Sequence, residues 1–436
     1  MSTLLVCCTP AHGHVLPLLT IARHLRAQGH RVLFLTSERY AARVRDAGVE
    51  FVPLPSAADV DLDDAGSFPG RAGLTGTAAL RFDMLNLFLR PGAAQFDAVR
   101  EILVTEPIDA VLAEPLFVGA VLLTELPRAQ RPPVIALGIF PLGVHSRDTA
   151  PFGLGIPPLR GAIGRLRNAA LTAISTRVVF APVSAEANRI SVDRVGHPLS
   201  RFFLDWHSGA DAVVQFTVPE FEYPRTDLPA SVRFVGPLPT TPTNSEVPAW
   251  WEDLSSGRPV VHVTQGTVAN TDLDLLIGPT IEALADSDAL VVVSTGGRPL
   301  DALGGPLPEN VRIASYLPYD RLLPLVDVVV TNGGYGGVQQ ALAHGIPLVV
   351  AGQTEDKVEV TARVGWSGAG INLRTQSPTP AAVRRAVRKV REEPGYAARA
   401  GELAAAFAGA PALEGLDAVL TELADVPISP SSPSRA

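Results

Sequence analysis

The segment from Asp327 to Lys357, DVVVTNGGYGGVQQALAHGIPLVVAGQTEDK, constrains the fold of this chain more than any other. Its apolar run 328–330 is typical of a buried strand, four glycines follow between 333 and 337, and residues 338–344 suit a helix that Gly345 ends. Glycines let a ligand approach the backbone, and the unpaired N–H groups of a helix's first turn attract an anion. The segment therefore predicts a phosphate-binding turn that prefers a diphosphate to a neutral ligand.

The glycine turn by itself also fits a tight strand-to-helix connection that binds nothing. A second strand-like run, 346–351, leads into the polar cluster 353–357, and ligands of open α/β sheets bind at the carboxyl ends of strands. Neither this turn nor the amino-terminal one has the GxGxxG spacing, which disfavours a nicotinamide dinucleotide. The pattern thus favours a different phosphate-containing ligand.

Length, charge and cysteine usage exclude several classes of protein. A chain of 436 residues exceeds the usual size of one core, so two domains are expected. The net charge of -8 argues against nucleic acid or an anionic membrane as the main partner. No apolar run reaches the roughly 18 residues of a membrane span, and the amino-terminal stretch lacks the basic region of a signal peptide. Cys7 and Cys8 lie in an apolar run and are predicted to be buried thiols, which fits a cytoplasmic protein.

Strand-like and helix-like segments alternate in both halves of the chain, as in doubly wound parallel sheets. The strand-like runs are 4–8, 30–36, 50–54, 110–113, 134–137, 178–181 and 212–216 in the first half, and 260–264, 290–294, 311–314, 327–331 and 346–351 in the second. The predicted domain organisation is a first domain at 1–223, a connection rich in Pro, Thr and Ser at 224–257, a second domain at 258–410, a carboxyl-terminal helix packing back at 411–426, and a disordered tail at 427–436.

Several motifs, in this order, resemble those of the GT-B glycosyltransferases, and more closely family 1, the UDP-glycosyltransferase-like branch that modifies antibiotics and macrolides in actinobacteria. They are AHGHVLPL at 11–18, VGPL at 235–238, VTQGT at 263–267, YLPYDRLLPLVDVVVTNGG at 316–334, and GIPLVV with EDK at 345–357. The resemblance covers nearly the whole chain. It implies an α/β GT-B fold in which two Rossmann-like, doubly wound parallel-sheet domains face a cleft.

The same resemblance implies an activity. It is the inverting, metal-independent transfer of a sugar from a UDP- or dTDP-sugar to a hydroxyl of a hydrophobic natural product such as a polyketide, macrolide or ansamycin. The nucleotide sugar is then a co-substrate, no cofactor is implied, and neither nucleic acid nor stable membrane insertion is expected.

The resemblance assigns the general base to His14, whose neutral imidazole can take a proton from an acceptor hydroxyl. Glu114 occupies the place where the family usually has an aspartate that orients this histidine. A histidine at a helix start can instead bond the backbone, and His12 is the second candidate for the base. Asp109, at a strand start, is interpreted as structural.

The donor site implied by the resemblance lies in the second half. Its residues are Thr267, Tyr316, Asn332, Gly333, Gly334, Gly336, Gly337, Asp356 and Lys357. Asn332 stands where the family commonly has a histidine, so the backbone N–H groups of the glycine turn would carry more of the leaving-group charge. Tyr316 either stacks on the nucleotide base or is a core tyrosine. Asp356 and Lys357 match an acid-amide pair for sugar hydroxyls, with lysine replacing glutamine.

A hydrophobic acceptor is expected to bind in the first domain. The segment 66–92 carries Phe82, Met84, Leu87 and Phe88, and the segment 140–152, which begins with Phe140, can form a second wall. Each of these residues could equally be an ordinary helix or core position.

Two other functions stay open on the sequence. One is a nucleotide-sugar epimerase on the same fold, against which the apolar segment 66–92 argues. The other is a non-catalytic nucleotide-sugar-binding auxiliary protein, suggested by Glu114 and Asn332 in place of the usual residues. The oligomeric state is also open, a homodimer included.

Overall fold

The computed structural model describes residues 1–62, 68–240, 246–267, 270, 272–303 and 305–424. The predicted tail at 427–436, part of the predicted connection (241–245) and the start of the predicted acceptor segment (66–67) lie outside the described residues.

The first sheet has seven parallel strands. They are β1 (Thr3–Cys7), β2 (Arg31–Thr36), β3 (Glu50–Pro53), β4 (Ala110–Ala113), β5 (Val134–Gly138), β6 (Ala212–Gln215) and β7 (Val232–Phe234). Their spatial order is β3-β2-β1-β4-β5-β6-β7, so the winding direction reverses between β1 and β4. Cys7 at the end of β1 lies opposite Ala113 at the end of β4. Their carboxyl ends therefore form the switch point at which such sheets bind ligands.

The second sheet has six parallel strands. They are β8 (Val260–Thr264), β9 (Leu290–Ser294), β10 (Val311–Ala314), β11 (Val328–Thr331), β12 (Leu348–Val350) and β13 (Gly370–Asn372). The order β10-β9-β8-β11-β12-β13 places its switch point between β8 and β11, where Thr264 lies opposite Thr331. The predicted α/β architecture of two doubly wound parallel sheets is confirmed.

Helices cover the faces of both sheets. They are α1 (His12–Ala27), α2 (Ala41–Asp46), α3 (Gly76–Asp83), α4 (Arg90–Thr105), α5 (Gly119–Glu125), α6 (Gly161–Ile174), α7 (Ala181–Val195), α8 (Ile277–Leu284), α9 (Tyr319–Leu322), α10 (Tyr335–Ala343), α11 (Lys357–Ser367), α12 (Pro380–Glu392), α13 (Pro394–Ala408) and α14 (Leu413–Ala424). Alternate residues of β1 enter different cores, Leu5 and Cys7 on one face and Leu4 and Val6 on the other. Burial of both faces explains why the strands are continuous apolar runs.

The predicted strand at 178–181 is wrong. Residues Ser175–Val179 form a π-helical turn that continues α6, and α7 begins at Ala181. The run of β-branched and aromatic residues suits a strand by propensity, but Val178 is 60% exposed and is not part of a core. Propensity without burial does not make a strand here.

Strand β7 lies inside the segment 224–257 that the sequence assigns to the connection. It pairs with β6 and so lengthens the first sheet at its edge. Three residues are too few to show a period, which is why the sequence gives no signal for this strand.

The last helix returns to the first domain. Leu413, Leu416 and Val419 of α14 are buried in the same core as Val6 and Leu18. His24 of α1 also contacts Asp417, with 2.8 Å between Nε2 and Oδ2. The chain thus crosses between the two domains twice, in opposite directions.

Within the described ranges, no single helix has the length and hydropathy of a membrane span. Helices α13 and α14 meet those criteria only together, as a pair bent by 42°. Leu403 of α13 and Leu416 of α14 are buried in protein cores.

We expect Leu416→Ala to lower the free energy of unfolding by about 2–5 kcal/mol, because it opens a cavity beneath α14. Equilibrium urea unfolding followed by tryptophan fluorescence measures this change. Val104→Ala, at a side chain that is 82% exposed, is the control and should change stability by less than about 0.5 kcal/mol. Equal small effects of both substitutions would contradict the packing of α14 on the first domain.

Candidate active site

His14 and Glu114 meet because their strands are neighbours. The chain leaves β1, turns at Pro10 and starts α1, which places His14 in the first turn of that helix. Glu114 follows β4 directly. Since β1 and β4 pair in parallel, both residues lie at the same sheet edge, and Nδ1 of His14 is 3.0 Å from Oε2 of Glu114.

Glu114 is held from several sides. It is fully buried, and its Oε1 accepts the backbone N–H of Thr9 at 3.0 Å while Oε2 accepts that of Leu116 at 2.7 Å. These bonds satisfy a carboxylate that would otherwise be costly to bury. The two bonds fix the position of the carboxylate. Glu114 therefore contacts the imidazole in a defined geometry, although its side chain is longer than that of the aspartate usual at this place.

The pair shifts the protonation of both groups. Burial alone would lower the pKa of His14, but the bonded Glu114 carboxylate, together with Asp356 and Glu355, raises that pKa above its ordinary value of 6.5. Burial would raise the pKa of Glu114, and His14 with the two N–H donors lowers it instead. Because Nδ1 faces the carboxylate, Nε2 is the nitrogen left to act on a ligand.

The second domain faces the first across this edge, because Phe140, which lies beside His14, packs against the core of the second domain, and Asp356 and Glu355 act on the pKa of His14. Both carboxylates come from the loop between β12 and α11. Burial raises the pKa of Asp356 most, and Glu355 raises it further, while Lys357 opposes this rise. His14 and Asp356 thus form two walls of one cleft.

The glycine turn lies where the sequence predicts it. Gly333 has a left-handed φ of 88°, which glycine adopts without strain, and Gly334 precedes α10 as its N-cap. A Cβ added at Gly334, Gly336 or Gly337 would meet nothing within 4 Å. The space beside these three glycines is therefore open, and a ligand can approach the backbone N–H groups in the first turn of α10.

Asn332 positions this turn. Its Nδ2 donates to the backbone carbonyl of Gln265, 2.5 Å away, which ties the ends of β11 and β8 together. Its own carbonyl lies so close to Gly352 that any side chain there would overlap it. Asn332 is buried between these two neighbours, and direct contact with a donor stays a prediction.

The remaining donor candidates lie along the same carboxyl edge. Tyr316 follows β10 and is 62% exposed, so the alternative of a core tyrosine is wrong. Its hydroxyl adjoins Gly297, where a Cβ would collide with it. Thr267 is exposed after β8. In spatial order the edge presents Tyr316, Thr267, the glycine turn and Asp356.

Lys357 is buried as the first residue of α11, and its Nζ pairs with Glu355. Glu355 has a left-handed φ of 55°, which is uncommon for a residue with a side chain and clusters at functional sites. The sequence interpretation missed Glu355 as a neighbour of His14, although it lies in the quoted EDK motif.

Asn270 is a second residue that the sequence interpretation missed. Its buried Nδ2 lies 2.9–3.1 Å from the carbonyls of Gly266, Thr295 and Gly296, which joins the loops after β8 and β9. Its Oδ1 accepts a hydrogen bond from Nε of Arg298. An asparagine four residues after a glycine is too common a pattern to have signalled this role.

The acceptor candidates fall into two groups. Phe140 lies beside His14, with ring centroids 6.1 Å apart, and Phe152 lies 5.8 Å from Phe140. Met84 and Phe88, in the π-helical turn Met84–Leu89, pack against the first core. The other two candidates are Phe82, beside Gly70, and Leu87, half-buried in the same turn. The structure thus brings only Phe140 of this set into contact with His14.

His12 and Asp109 have structural partners. His12 Nδ1 lies 3.2 Å from a guanidinium nitrogen of Arg43. Asp109 accepts the N–H of Thr3 at the amino end of the first sheet, opposite to His14, so its structural interpretation is confirmed. In the described part of the chain, no cluster of three or more His, Cys, Asp or Glu could hold a metal ion.

Known proteins match nearly the whole length of the chain. Residues 5–136 match the glycosyltransferase family 28 N-terminal domain, and residues 279–423 match the erythromycin biosynthesis protein CIII-like C-terminal domain. 4'-Demethylrebeccamycin synthase of Lentzea aerocolonigenes is 43% identical over 422 residues, which cover 95% of this chain and 97% of that protein. UDP-glycosyltransferase 2 of Phaeomoniella chlamydospora is 36% identical, covering 95% and 94%.

The chain belongs to the natural-product glycosyltransferases. Solved structures agree on its GT-B fold. The glycosyltransferase of kitacinnamycin superposes with a TM-score of 0.73 at 22% identity, covering 97% of this chain and 98% of that one. SsfS6 from Streptomyces sp. SF2575, solved with thymidine diphosphate, gives a TM-score of 0.63 at 21% identity, covering 97% and 100%.

We expect the pKa of His14 in this glycosyltransferase to lie above 6.5 and to fall in Glu114→Gln, because the amide removes the negative charge that favours the imidazolium. NMR titration of the His14 ring measures both values. Glu106→Gln, at the far end of the first sheet beside Arg31, should leave the His14 pKa unchanged. An unaltered pKa in Glu114→Gln would contradict the pairing.

Proposed function

We propose that this glycosyltransferase inverts the anomeric centre and needs no metal ion, and that it moves a sugar from a UDP- or dTDP-sugar to a hydroxyl of a hydrophobic natural product. The observation that carries the proposal is the contact between the partly exposed His14 and the fully buried Glu114, together with the effect of Asp356 of the second domain on the pKa of His14. A base on one domain and a sugar-binding carboxylate on the other are what a single displacement requires.

In the proposed reaction, Nε2 of His14 takes the proton of the acceptor hydroxyl as its oxygen attacks the anomeric carbon. The bond from that carbon to the diphosphate breaks in the same step, and its electrons leave with the diphosphate. One displacement inverts the centre, so an α-linked donor yields a β-glycoside. Glu114 keeps the imidazole oriented and stabilises its protonated form, which argues against a silent auxiliary protein.

The order of residues along the second sheet supports an extended donor. From Tyr316 after β10 to Asp356 after β12, the edge crosses four strand spacings, about 19 Å. A nucleotide diphosphate sugar has its base, diphosphate and sugar in that same linear order. We place the base on the exposed ring of Tyr316, the diphosphate at the glycine turn and the sugar at Asp356.

The departing diphosphate would be stabilised by the backbone. The first turn of α10 presents N–H groups at the positive end of the helix dipole, and the open surface at Gly334, Gly336 and Gly337 gives phosphate oxygens access to them. Thr267, exposed at the neighbouring strand end, can donate its hydroxyl. These groups provide the charge stabilisation that a metal ion provides in other transferases.

The acceptor would lie against Phe140 and Phe152, whose rings extend the wall beside His14. Aromatic side chains at this place suit a flat, apolar aglycone. We further propose a cytoplasmic location, since Cys7 and Cys8 are buried free thiols.

A thermal-shift titration with UDP, dTDP and NAD tests the donor site. We expect UDP or dTDP, but not NAD, to raise the melting temperature, because a ligand at 100 times its Kd stabilises the native state by about 2.7 kcal/mol. Tyr316→Ala should weaken this binding by roughly two- to tenfold, which corresponds to the value of about 0.5–1.5 kcal/mol for one aromatic stack. Tyr396→Ala, on α13, is the matched control. No shift with any nucleotide diphosphate would overturn the donor assignment.

His14→Ala tests the base. We expect sugar transfer to fall by about 10²–10⁴-fold, the usual contribution of a positioned base, while the thermal shift with UDP or dTDP is kept. Transfer to umbelliferone, followed by loss of its fluorescence, measures the rate. His24→Ala, in the same helix but paired with Asp417, is the control. Near-normal turnover of folded His14→Ala would refute the mechanism.

A further inference from the structure

Residues 140–155 form a segment after β5 that we name the strap. It begins with Phe140, whose ring lies beside His14, and it includes Phe152, whose ring lies beside that of Phe140. The strap belongs to the first domain by sequence, yet Phe140 also packs against the core of the second domain. Its position therefore decides where an acceptor can lie relative to His14.

Two carboxylates anchor the strap at its two ends. Near its start, the N–H of Leu142 donates to Oε1 of Glu222 at 2.8 Å. Near its end, the N–H groups of Gly153 and Gly155 both donate to Oε1 of Glu359 at 2.8 Å. The first anchor lies in the loop between β6 and β7 of the first sheet, and the second lies on α11 of the second domain.

Arg363 joins the two anchors. Its Nη1 donates to Oε2 of Glu359 at 2.7 Å, and its Nε and Nη2 donate to Oε2 of Glu222 at 3.0 and 2.9 Å. All three side chains are buried. Release of the strap would leave Oε1 of the buried Glu359 without its two N–H donors, which is costly although Oε2 stays paired with Arg363.

Glu359 is one helical turn after Asp356, so the residue proposed to hold the donor sugar and the residue that holds the strap are on one rigid element. A shift of α11 would therefore move Asp356 together with the end of the strap that carries Phe152. Gly155 allows the strap to lie directly against α11, because a Cβ at this position would be 2.7 Å from both Cγ2 and the carbonyl oxygen of Val358.

We propose that Glu359 is a positioning residue, which fixes the acceptor wall formed by Phe140 and Phe152 relative to the donor sugar. This fixed position favours transfer of the sugar to the acceptor over hydrolysis of the donor. The proposal rests on the glycosyltransferase mechanism proposed above. Glu359 touches neither reactant. It acts through the strap, whose displacement would misalign the acceptor hydroxyl and admit water to the anomeric carbon.

The experiment compares wild-type protein, Glu359→Ala and Glu359→Gln, with UDP-glucose and dTDP-glucose as donors and umbelliferone as acceptor. Transfer is read from umbelliferone fluorescence, and hydrolysis from nucleotide diphosphate release without acceptor. We expect Glu359→Ala to lower kcat/KM for the acceptor by about 10–100-fold, the effect of a displacement near 1 Å. The nucleotide thermal shift should be kept, and the ratio of hydrolysis to transfer should rise. Glu359→Gln still has an oxygen for the two glycine N–H groups and should recover part of the loss.

Gly155→Ala is a second route that leaves every buried charge in place. Its new Cβ would push the strap away from Val358 and should reproduce the higher ratio of hydrolysis to transfer. Gly161→Ala is its matched control, since Gly161 also has a left-handed φ, 82°, but faces open space outside the strap. Glu402→Gln, in an exposed pair with Arg399, is the control for loss of one carboxylate.

The outcomes separate the two proposals. If folded Glu359→Ala and Gly155→Ala keep the wild-type ratio of hydrolysis to transfer, Glu359 has only a structural role and the inference is overturned. It is likewise overturned if Gly161→Ala raises the ratio as much as Gly155→Ala does. If the wild-type protein shows no nucleotide shift and no transfer, the proposed function itself fails.

Discussion

The buried charges of Glu222, Arg363 and Glu359 hold the two domains in one arrangement. Arg363 belongs to α11 of the second domain and Glu222 to the loop between β6 and β7 of the first sheet, and the pair lies in the interior with side chains about 1% exposed. Arg225 and the ring of Tyr223 complete the environment, with the Arg363 guanidinium 4.2 Å from the ring centroid. Removing one member of such a group typically costs about 3–5 kcal/mol, because the others remain buried and unpaired.

In the proposed mechanism this arrangement has a functional consequence, because each domain provides half of the site. The first sheet presents His14 and Glu114 at its switch point, and the second presents the glycine turn and Asp356 at its own. Neither edge alone can both activate an acceptor and hold a donor. A buried contact that fixes one domain against the other therefore contributes to the site although it lies outside it.

The sequence predicts those features that depend on local pattern. Buried parallel strands are continuous apolar runs, so nearly all of them are recognisable, and His14 follows from a motif within one strand-turn-helix unit. The strand predicted at 178–181 fails because β-branched residues also occur on an exposed helix, and β7 is too short to show a period. The contact between Glu222 and Arg363 joins residues 141 positions apart, and no local pattern encodes it.

The residue types at the site are easier to predict than their partners. Glu114 is recognisable from its place after β4, but only the structure shows that its longer side chain still reaches Nδ1 of His14. The sequence assigns Asn332 to the donor, which stays a prediction, and the structure adds that its amide donates to Gln265 and so shapes the glycine turn. In both cases the sequence gives the chemistry of the side chain, whereas its hydrogen-bond partner depends on how neighbouring strands are paired.

In the proposed mechanism, the carboxylates around His14 have two opposing effects on its action as a base. Glu114, Asp356 and Glu355 all favour the imidazolium, which stabilises the product of proton transfer but raises the fraction of His14 that is already protonated below its raised pKa. A proton-accepting histidine must be neutral, so the pH dependence should have an acid limb above the ordinary histidine value. A donor sugar bound at Asp356 would displace water from that carboxylate and strengthen its field at His14. The second domain would then tune the base as well as hold the donor, which makes the relative position of the two domains part of the acid-base chemistry.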